Sequence, residues 1–202
     1  NAAEQARQTA LTEAFPAELL VAVDQQQAQA IAGVTLPAGG LFFPEAGWVN
    51  PPALCQLLAN HPNVRVHTHL NALELRKTSE GWQALQDDQL LAAAEVVVLA
   101  GAADVCQYPH TAHLPLKRIR GQISYLPATP ASQALQAVVC AEGYVAPARH
   151  GLHTLGASFD FKRDDLDLCA AEHKDNLQLL EDISSDLAER LHGPGLDPAS
   201  LQ

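Results

Sequence analysis

The sequence predicts a mixed fold, α/β plus α+β, in which a partial α/β layer leads into an antiparallel sheet. Three observations carry that reading. Helical spacing at the start of the chain changes to a period of two at Val64. The run Glu95-Val96-Val97-Val98-Leu99-Ala100-Gly101 is continuously apolar and closes on small residues, as a parallel strand buried on both faces does. Alternating stretches separated by turns then fill much of the second half.

Taken in order, Ala6, Ala10, Leu11 and Ala14 recur at helical spacing over 4–14. Phe15-Pro16 interrupts that face, and Pro16 suits the first turn of a second helix carrying Leu19, Leu20 and Val23. Asp24 with Gln27 three residues on reads as a capping box, and Gly33 as a left-handed stop, so 24–33 is a short helix. The Gly/Pro-rich passage 36–51 leaves room only for short extended pieces. Asn50 caps a helix whose first turn holds Pro51 and Pro52, with Leu54, Leu57 and Leu58 facing inward until Asn60. Strands are expected at 64–69, 72–77, 82–87 and 90–92, the last three as a small meander, followed by the buried strand at 96–100. In the second half, 117–126, 143–146 and 153–157 alternate, with a turn at 149–151. Asp164 or Asp165 opens a helix to about Asp182, with a second start at Ser184 and a stop at Gly193. The layers divide near 103–113. Residues 1–112 form the partial α/β layer with its helices and meander, and residues 113–202 the antiparallel sheet with its closing helix.

Composition narrows the function classes. Of the 202 residues 48% are hydrophobic and 17% charged, enough to bury a core. Twelve Lys and Arg against 23 Asp and Glu leave −11, a poor surface for gripping a phosphate backbone unaided. No apolar run is long enough to span a bilayer, and no secretory leader opens the chain. Cys55, Cys106, Cys140 and Cys169 are far apart without a C-x-x-C pair, which argues for reduced thiols in a cytoplasmic protein. Methionine is absent and Asn1 comes first, so the residues are expected to be an interior piece of a longer polypeptide.

Candidate chemistry is sparse. There is no G-x-S-x-G and no P-loop, and the Gly193–Pro198 stretch puts Pro198 where a dinucleotide fingerprint needs glycine. The pairs His67/His69, His110/His113 and His150/His153 lack acidic or cysteine partners at ligand spacing, and the last two fall in expected loops, so no metal site is assigned. Lys117, Arg118 and Arg120 form one dense basic cluster. It is either a solvated edge or a pair of arginines on one strand face, one of which grips a carboxylate or phosphate. Tyr144, after Gly143, is either an amphipathic rim residue or a hydroxyl donor into a cleft.

Several blocks occur in a telling order. They are Gly39-Gly40-Leu41-Phe42-Phe43-Pro44, Gly47-Trp48-Val49, Val96 to Gly101, Arg120-Gly121-Gln122-Ile123-Ser124, Gly143-Tyr144-Val145-Ala146-Pro147 and Gly156-Ala157-Ser158-Phe159. Together, over nearly the whole chain, they resemble the FAD-dependent D-amino-acid oxidase and glycine oxidase superfamily. Within it the likeness is to the oxidoreductase domain of bifunctional enzymes that modify the wobble uridine of tRNA.

The resemblance implies a partial FAD-binding α/β layer and an antiparallel-sheet substrate domain. It places Leu70, Ala100 and Gly101 along the adenosine end of FAD, and Tyr144 on the substrate carboxylate. Arg120 and Gln122 would lie on the sheet that roofs the flavin and bind the substrate there, Arg120 being the alternative to Tyr144 as carboxylate anchor. The superfamily's opening G-x-G-x-x-G strand–turn–helix has no counterpart here, so the chain alone is expected to hold FAD weakly and not to turn over. The implied reaction removes the carboxymethyl group from 5-carboxymethylaminomethyl-(2-thio)uridine in tRNA. A hydride leaves the glycine-derived carbon, and the imine hydrolyses to release glyoxylate. The cofactor does that chemistry, so no catalytic residue is named. The implied partners are tRNA and a fused methyltransferase domain, with no membrane and no metal. Two other readings stand beside this one: a small-molecule amine or amino-acid oxidase of glycine or sarcosine type, and a non-catalytic binding module.

Overall fold

The structure is a computed structural model that describes residues 2–70, 73–192, 197–198 and 201. The chain divides into two compact units, one formed by Asn1–Trp48 with Ile119–Gln202 and the other by Val49–Arg118.

In the first unit the chain opens with helix α1 (Ala2–Ala14). The second helix expected from Pro16 is replaced by a single turn and a strand. The Pro16 carbonyl accepts the amides of Leu19 (2.9 Å) and Leu20 (3.1 Å), and β1 (Val21–Val23) follows directly. Asp24 already starts the next helix, so too few residues remain to propagate one here, and the Val-Ala-Val segment favours extension. Helix α2 (Gln25–Ala32) has the capping box the sequence predicts: Asp24 Oδ1 accepts the Gln27 amide at 2.8 Å and Gln27 Oε1 accepts the Asp24 amide at 2.9 Å. It ends at Gly33, φ 76°, where a Cβ would stand 2.0 Å from the Ala134 carbonyl oxygen. Strand β2 (Gly40–Phe42) pairs antiparallel with β1, Val21 opposite Phe42.

The second unit begins with α3 (Pro51–Ala59), capped as expected by Asn50, whose Oδ1 accepts the Ala53 amide at 2.9 Å. Its leucines do not turn inward: Leu57 and Leu58 are 71% and 69% exposed. Val64–Thr68 joins no ladder among the described residues, nor does Val96–Ala100, where Val96 and Val98 are 74% and 81% exposed. The double burial expected at 96–100 is therefore absent. A parallel strand is stabilised only by neighbouring strands and covering helices, and none of the described residues pairs with this one. The meander is as predicted, with β3 (Glu74–Thr78), β4 (Gly81–Gln86) and β5 (Gln89–Ala94) in that order. Asn71 and Ala72, which the expected strand 72–77 would enter, lie outside the described residues.

Returning to the first unit, β6 (Ser124–Pro127), β7 (Val139–Cys140), β8 (Tyr144–Val145) and β9 (Leu152–Gly156) form an antiparallel sheet in the order β6-β9-β8-β7. The strand expected over 117–126 is shorter than predicted, Arg120 making only an isolated bridge to Asp160. Helix α4 (Ala170–Ile183) starts several residues after Asp165. The Asp165 and Asp167 carbonyls that an earlier start would use are taken by Arg120. Ser184 then turns the chain into α5 (Ser185–His192), its Oγ accepting the Leu187 amide at 3.1 Å and donating to the Thr35 carbonyl at 2.7 Å. The stop expected at Gly193 lies outside the described residues, as does most of the Gly193–Pro198 pattern. Leu126, Val145, Leu155, Leu180 and Leu187 are fully buried, and Ala28, Ala32 and Val34 join the same core.

Candidate active site

Register sorts the sheet's side chains into two faces. Ser124, Leu155 and Val145 stand opposite one another and are buried, so they share the face packed on α4. Tyr125 opposite Thr154, Tyr144 opposite Gly156 and Cys140 opposite Tyr144 occupy the other face. There Tyr125 is 41% exposed and Tyr144 half-buried. Gly156 contributes no side chain, and Ile123 fills its place, Cγ2 standing 3.1 Å from where a Cβ would be, between the two phenols. On the helix-packed side Gly143 lets the chain come close to β9 and α4: a Cβ there would lie 2.7 Å from the Gly156 carbonyl oxygen and 2.9 Å from Leu179 Cδ1. Burial, with smaller contributions from Tyr125 and Cys140, raises the Tyr144 phenol above its ordinary value, so its hydroxyl remains a donor at neutral pH.

Arg120 and Gln122 are on the opposite, helix-packed face and are not brought together with Tyr144. Every N–H of the Arg120 guanidinium is used. Nε donates to the Asp165 carbonyl (2.9 Å), Nη1 to both Glu172 carboxylate oxygens, and Nη2 to Gln122 Oε1 (3.1 Å) and the Asp167 carbonyl. Gln122 completes the lock, donating to the Cys169 carbonyl and accepting the Cys169 amide, both at 2.9 Å. Burial raises the Glu172 carboxyl, but hydrogen bonds from Ser158 and Arg120 outweigh it and hold the group below its usual range. In this arrangement the pair fastens the 158–169 segment and the start of α4 to the sheet. The basic cluster is thus spent locally, since Arg118 also pairs with Asp104 at 2.5 Å.

Behind it lies a second buried network. His173 Nδ1 is 2.7 Å from Ser124 Oγ, and Asn176 Nδ2 donates to Ser124 Oγ (3.0 Å) and to the Gln122 carbonyl (2.9 Å). His153 lies in β9, where the alternation over 153–157 places it, and is fully buried, its Nε2 2.9 Å from Ser132 Oγ and its Nδ1 2.9 Å from the Ala146 carbonyl.

Leu70, Ala100 and Gly101 belong to the Val49–Arg118 unit. Leu70 is half-buried beside His69, whose φ is 59°. Ala100 and Gly101 are exposed, and a Cβ on Gly101 would meet nothing nearer than Val105 Cγ1 at 3.8 Å, so backbone there is open to close approach by a flat ligand. No glycine-rich turn leading into a helix, which a pyrophosphate would need, occurs among the described residues.

The sequence reading missed Tyr125 and Thr154, although the parity of Arg120, Gln122 and Ser124 against Tyr125 was readable. Glu172, the counter-ion of Arg120, carried no local signal, since 52 residues separate them.

Comparison with known proteins agrees with this architecture. Residues 1–199 match the profile of the family described as FAD dependent oxidoreductase. The chain is 62% identical over 199 residues to the tRNA 5-methylaminomethyl-2-thiouridine biosynthesis bifunctional protein MnmC of Pseudomonas putida, covering 98% of this chain and 30% of that protein. It is 59% identical over 202 residues to the protein of the same name from Pseudomonas fluorescens, covering 100% of this chain and 31% of that protein. The chain thus spans about 30% of the length of the curated relatives it matches. Among solved structures, glycine oxidase from Geobacillus kaustophilus superimposes with a TM-score of 0.71 at 21% identity, covering 85% of this chain and 48% of that one. Glycine oxidase from Bacillus cereus gives 0.76 at 17% identity, covering 94% and 55%. No helix among the described residues is long and apolar enough to cross a membrane.

Proposed function

The chain belongs to the FAD dependent oxidoreductase family, and from that premise we propose that it carries the substrate-facing sheet of an enzyme oxidising the carboxymethylaminomethyl group of wobble uridine in tRNA. The observation that carries this reading is 62% identity over 199 residues to a protein named for tRNA 5-methylaminomethyl-2-thiouridine biosynthesis. The open sheet face supplies a place for the chemistry. FAD bound beside this sheet would supply the acceptor for the electrons of the C–H bond.

The chain's own part is orientation. Tyr144 donates its hydroxyl to the substrate carboxylate, and Tyr125 stands on the same face. Arg120 and Gln122 act from behind by fixing the strand and the 158–169 segment. Leu70, Ala100 and Gly101 line the adenosine end of the cofactor, so residues 1–112 serve the cofactor and 113–202 the substrate. A methyltransferase domain in the same polypeptide and a cytoplasmic setting follow from the same reading.

The likeness in fold to glycine oxidases favours a second reading, oxidation of a free amino acid or secondary amine. The two separate in one experiment. The flavin-loaded full-length protein that carries this chain is mixed anaerobically with tRNA bearing the carboxymethylaminomethyl group, with glycine, or with sarcosine, and flavin bleaching and glyoxylate are followed. Bleaching by the tRNA alone supports the proposal. Bleaching by glycine or sarcosine, with tRNA inert, replaces it with the second reading.

A further inference from the structure

An RNA substrate sits awkwardly with a net charge of −11, and most arginines are already neutralised. Arg76 pairs with Glu74, Arg118 with Asp104, Arg120 with Glu172, Arg163 with Asp165 and Arg190 with Asp186. Phosphate attraction has little left to work with. Stacking of unpaired bases on flat side chains does not depend on net charge.

Arg149 differs from those five. It makes no ion pair among the described residues, and its guanidinium carbon stands 5.8 Å from the ring centroid of Trp48. Trp48 is 43% exposed. Trp82, the chain's other tryptophan, is already flanked, with Lys77 Nζ 5.6 Å from its ring centroid and the His110 ring edge-on at 4.9 Å.

The hairpin that presents Arg149 is tightly built. Arg149 and Leu152 exchange two backbone hydrogen bonds, 2.9 and 3.1 Å, so the turn that leads into β9 is closed over His150-Gly151. Both have positive φ, 53° and 80°, as in a type I′ turn. Asn or Gly is the easy choice at the first of those positions. Here it holds a histidine, exposed, whose Nε2 lies 3.4 Å from Arg149 Nε. The imidazole of the turn thus touches a guanidinium that lies over the Trp48 indole.

We infer that Trp48, Arg149 and His150 form a stacking platform for an unpaired base of RNA, the remaining guanidinium N–H groups meeting the adjoining phosphate. The inference rests on the reading that RNA is the substrate.

The test uses a hairpin oligoribonucleotide with an unpaired loop and, as control, its stem closed as a blunt duplex. In Trp82→Phe, Trp48 is the sole fluorescent reporter, and loop RNA should quench it where duplex does not. By anisotropy with labelled loop RNA, Trp48→Leu should bind about tenfold more weakly and Arg149→Ala about fivefold, the scale of one stacked base. Thermal melting accompanies each variant. If either fails to fold, Trp48→Phe and Arg149→Lys take its place; the smaller ring and the non-planar ammonium should each weaken binding by a smaller factor. Equal affinity of the folded variants and the unsubstituted chain overturns the platform, as does failure of the unsubstituted chain to bind loop RNA at low salt. Equal affinity leaves the tRNA oxidation reading standing, because the flavin-bleaching assay does not depend on Trp48. That reading falls only if modified tRNA fails to bleach the flavin.

Discussion

The Arg120 guanidinium lies in the fork of the Glu172 carboxylate, both side chains nearly sealed from solvent at 5% and 11% exposure. Breaking one half of such a pair strands a charge, which costs far more than the pair itself contributes. Glu172→Gln should therefore destabilise the protein by about 3–5 kcal/mol. Adding Arg120→Met should recover part of that loss. The urea midpoint measures both; a Glu172→Gln midpoint within error of the unsubstituted protein would mean that water reaches the pair.

Tyr144 is separated from that pair by the thickness of the sheet, which allows their roles to be told apart. Tyr144→Phe removes one hydroxyl from the open face and leaves the core untouched. If it donates to a carboxylate, the loss is about 1.5–3 kcal/mol, or roughly tenfold or more in kcat/KM, carried by KM. Flavin content and melting temperature should not change. Steady-state kinetics of the full-length protein carrying the substitution, with unchanged KM, would take Tyr144 out of the site.

What the sequence disclosed depended on how local the signal was. The Asp24–Gln27 box and the Asn50 cap are settled within four residues and were read directly. The meander was legible because its turns separate strands that pair with their sequence neighbours. Val21–Val23 was not, because its partner lies at Gly40–Phe42 and the short helix between hides the pairing. The start of α4 was misplaced for a similar reason: Arg120, 45 residues earlier, takes the Asp165 carbonyl. For the site, alternation put Arg120 and Tyr144 on strands, but only register shows that they face opposite ways.

Gly101 makes the cofactor wall testable separately from the fold. A side chain there has room in the protein itself, its first contact being Val105 Cγ1 at 3.8 Å, and its φ of −88° suits any residue. Gly101→Leu should therefore melt like the unsubstituted protein while binding FAD at least tenfold more weakly, about the 1.4 kcal/mol that a displaced ligand contact costs. Quenching of flavin fluorescence on titration measures it. Undiminished FAD affinity would move the adenosine end away from Ala100-Gly101.

The network behind the sheet predicts a pH dependence with two stages. His173 is 2% exposed, and burial lowers its pKa, with the neighbouring Glu172 charge opposing less strongly. An unfolded histidine takes up a proton near about pH 6.5, while the folded one resists it, so the unfolded state binds more protons and stability falls as pH drops through that region. The carboxylates act lower. Glu172 is held below its ordinary range and Asp165 is pushed down to about 2, chiefly by the Arg163 hydrogen bond, so their contribution is lost progressively as pH falls from the usual carboxylate range toward those lowered values. Melting temperature recorded from pH 8 to pH 3 should first decline below about 6.5 and then steepen below about 4.5. His173→Asn keeps a polar partner for Ser124 and has nothing to protonate, so it should remove the first decline and spare the second. A first decline that persists unchanged in His173→Asn would assign it to another group and break the link between this buried imidazole and the acid sensitivity of the sheet.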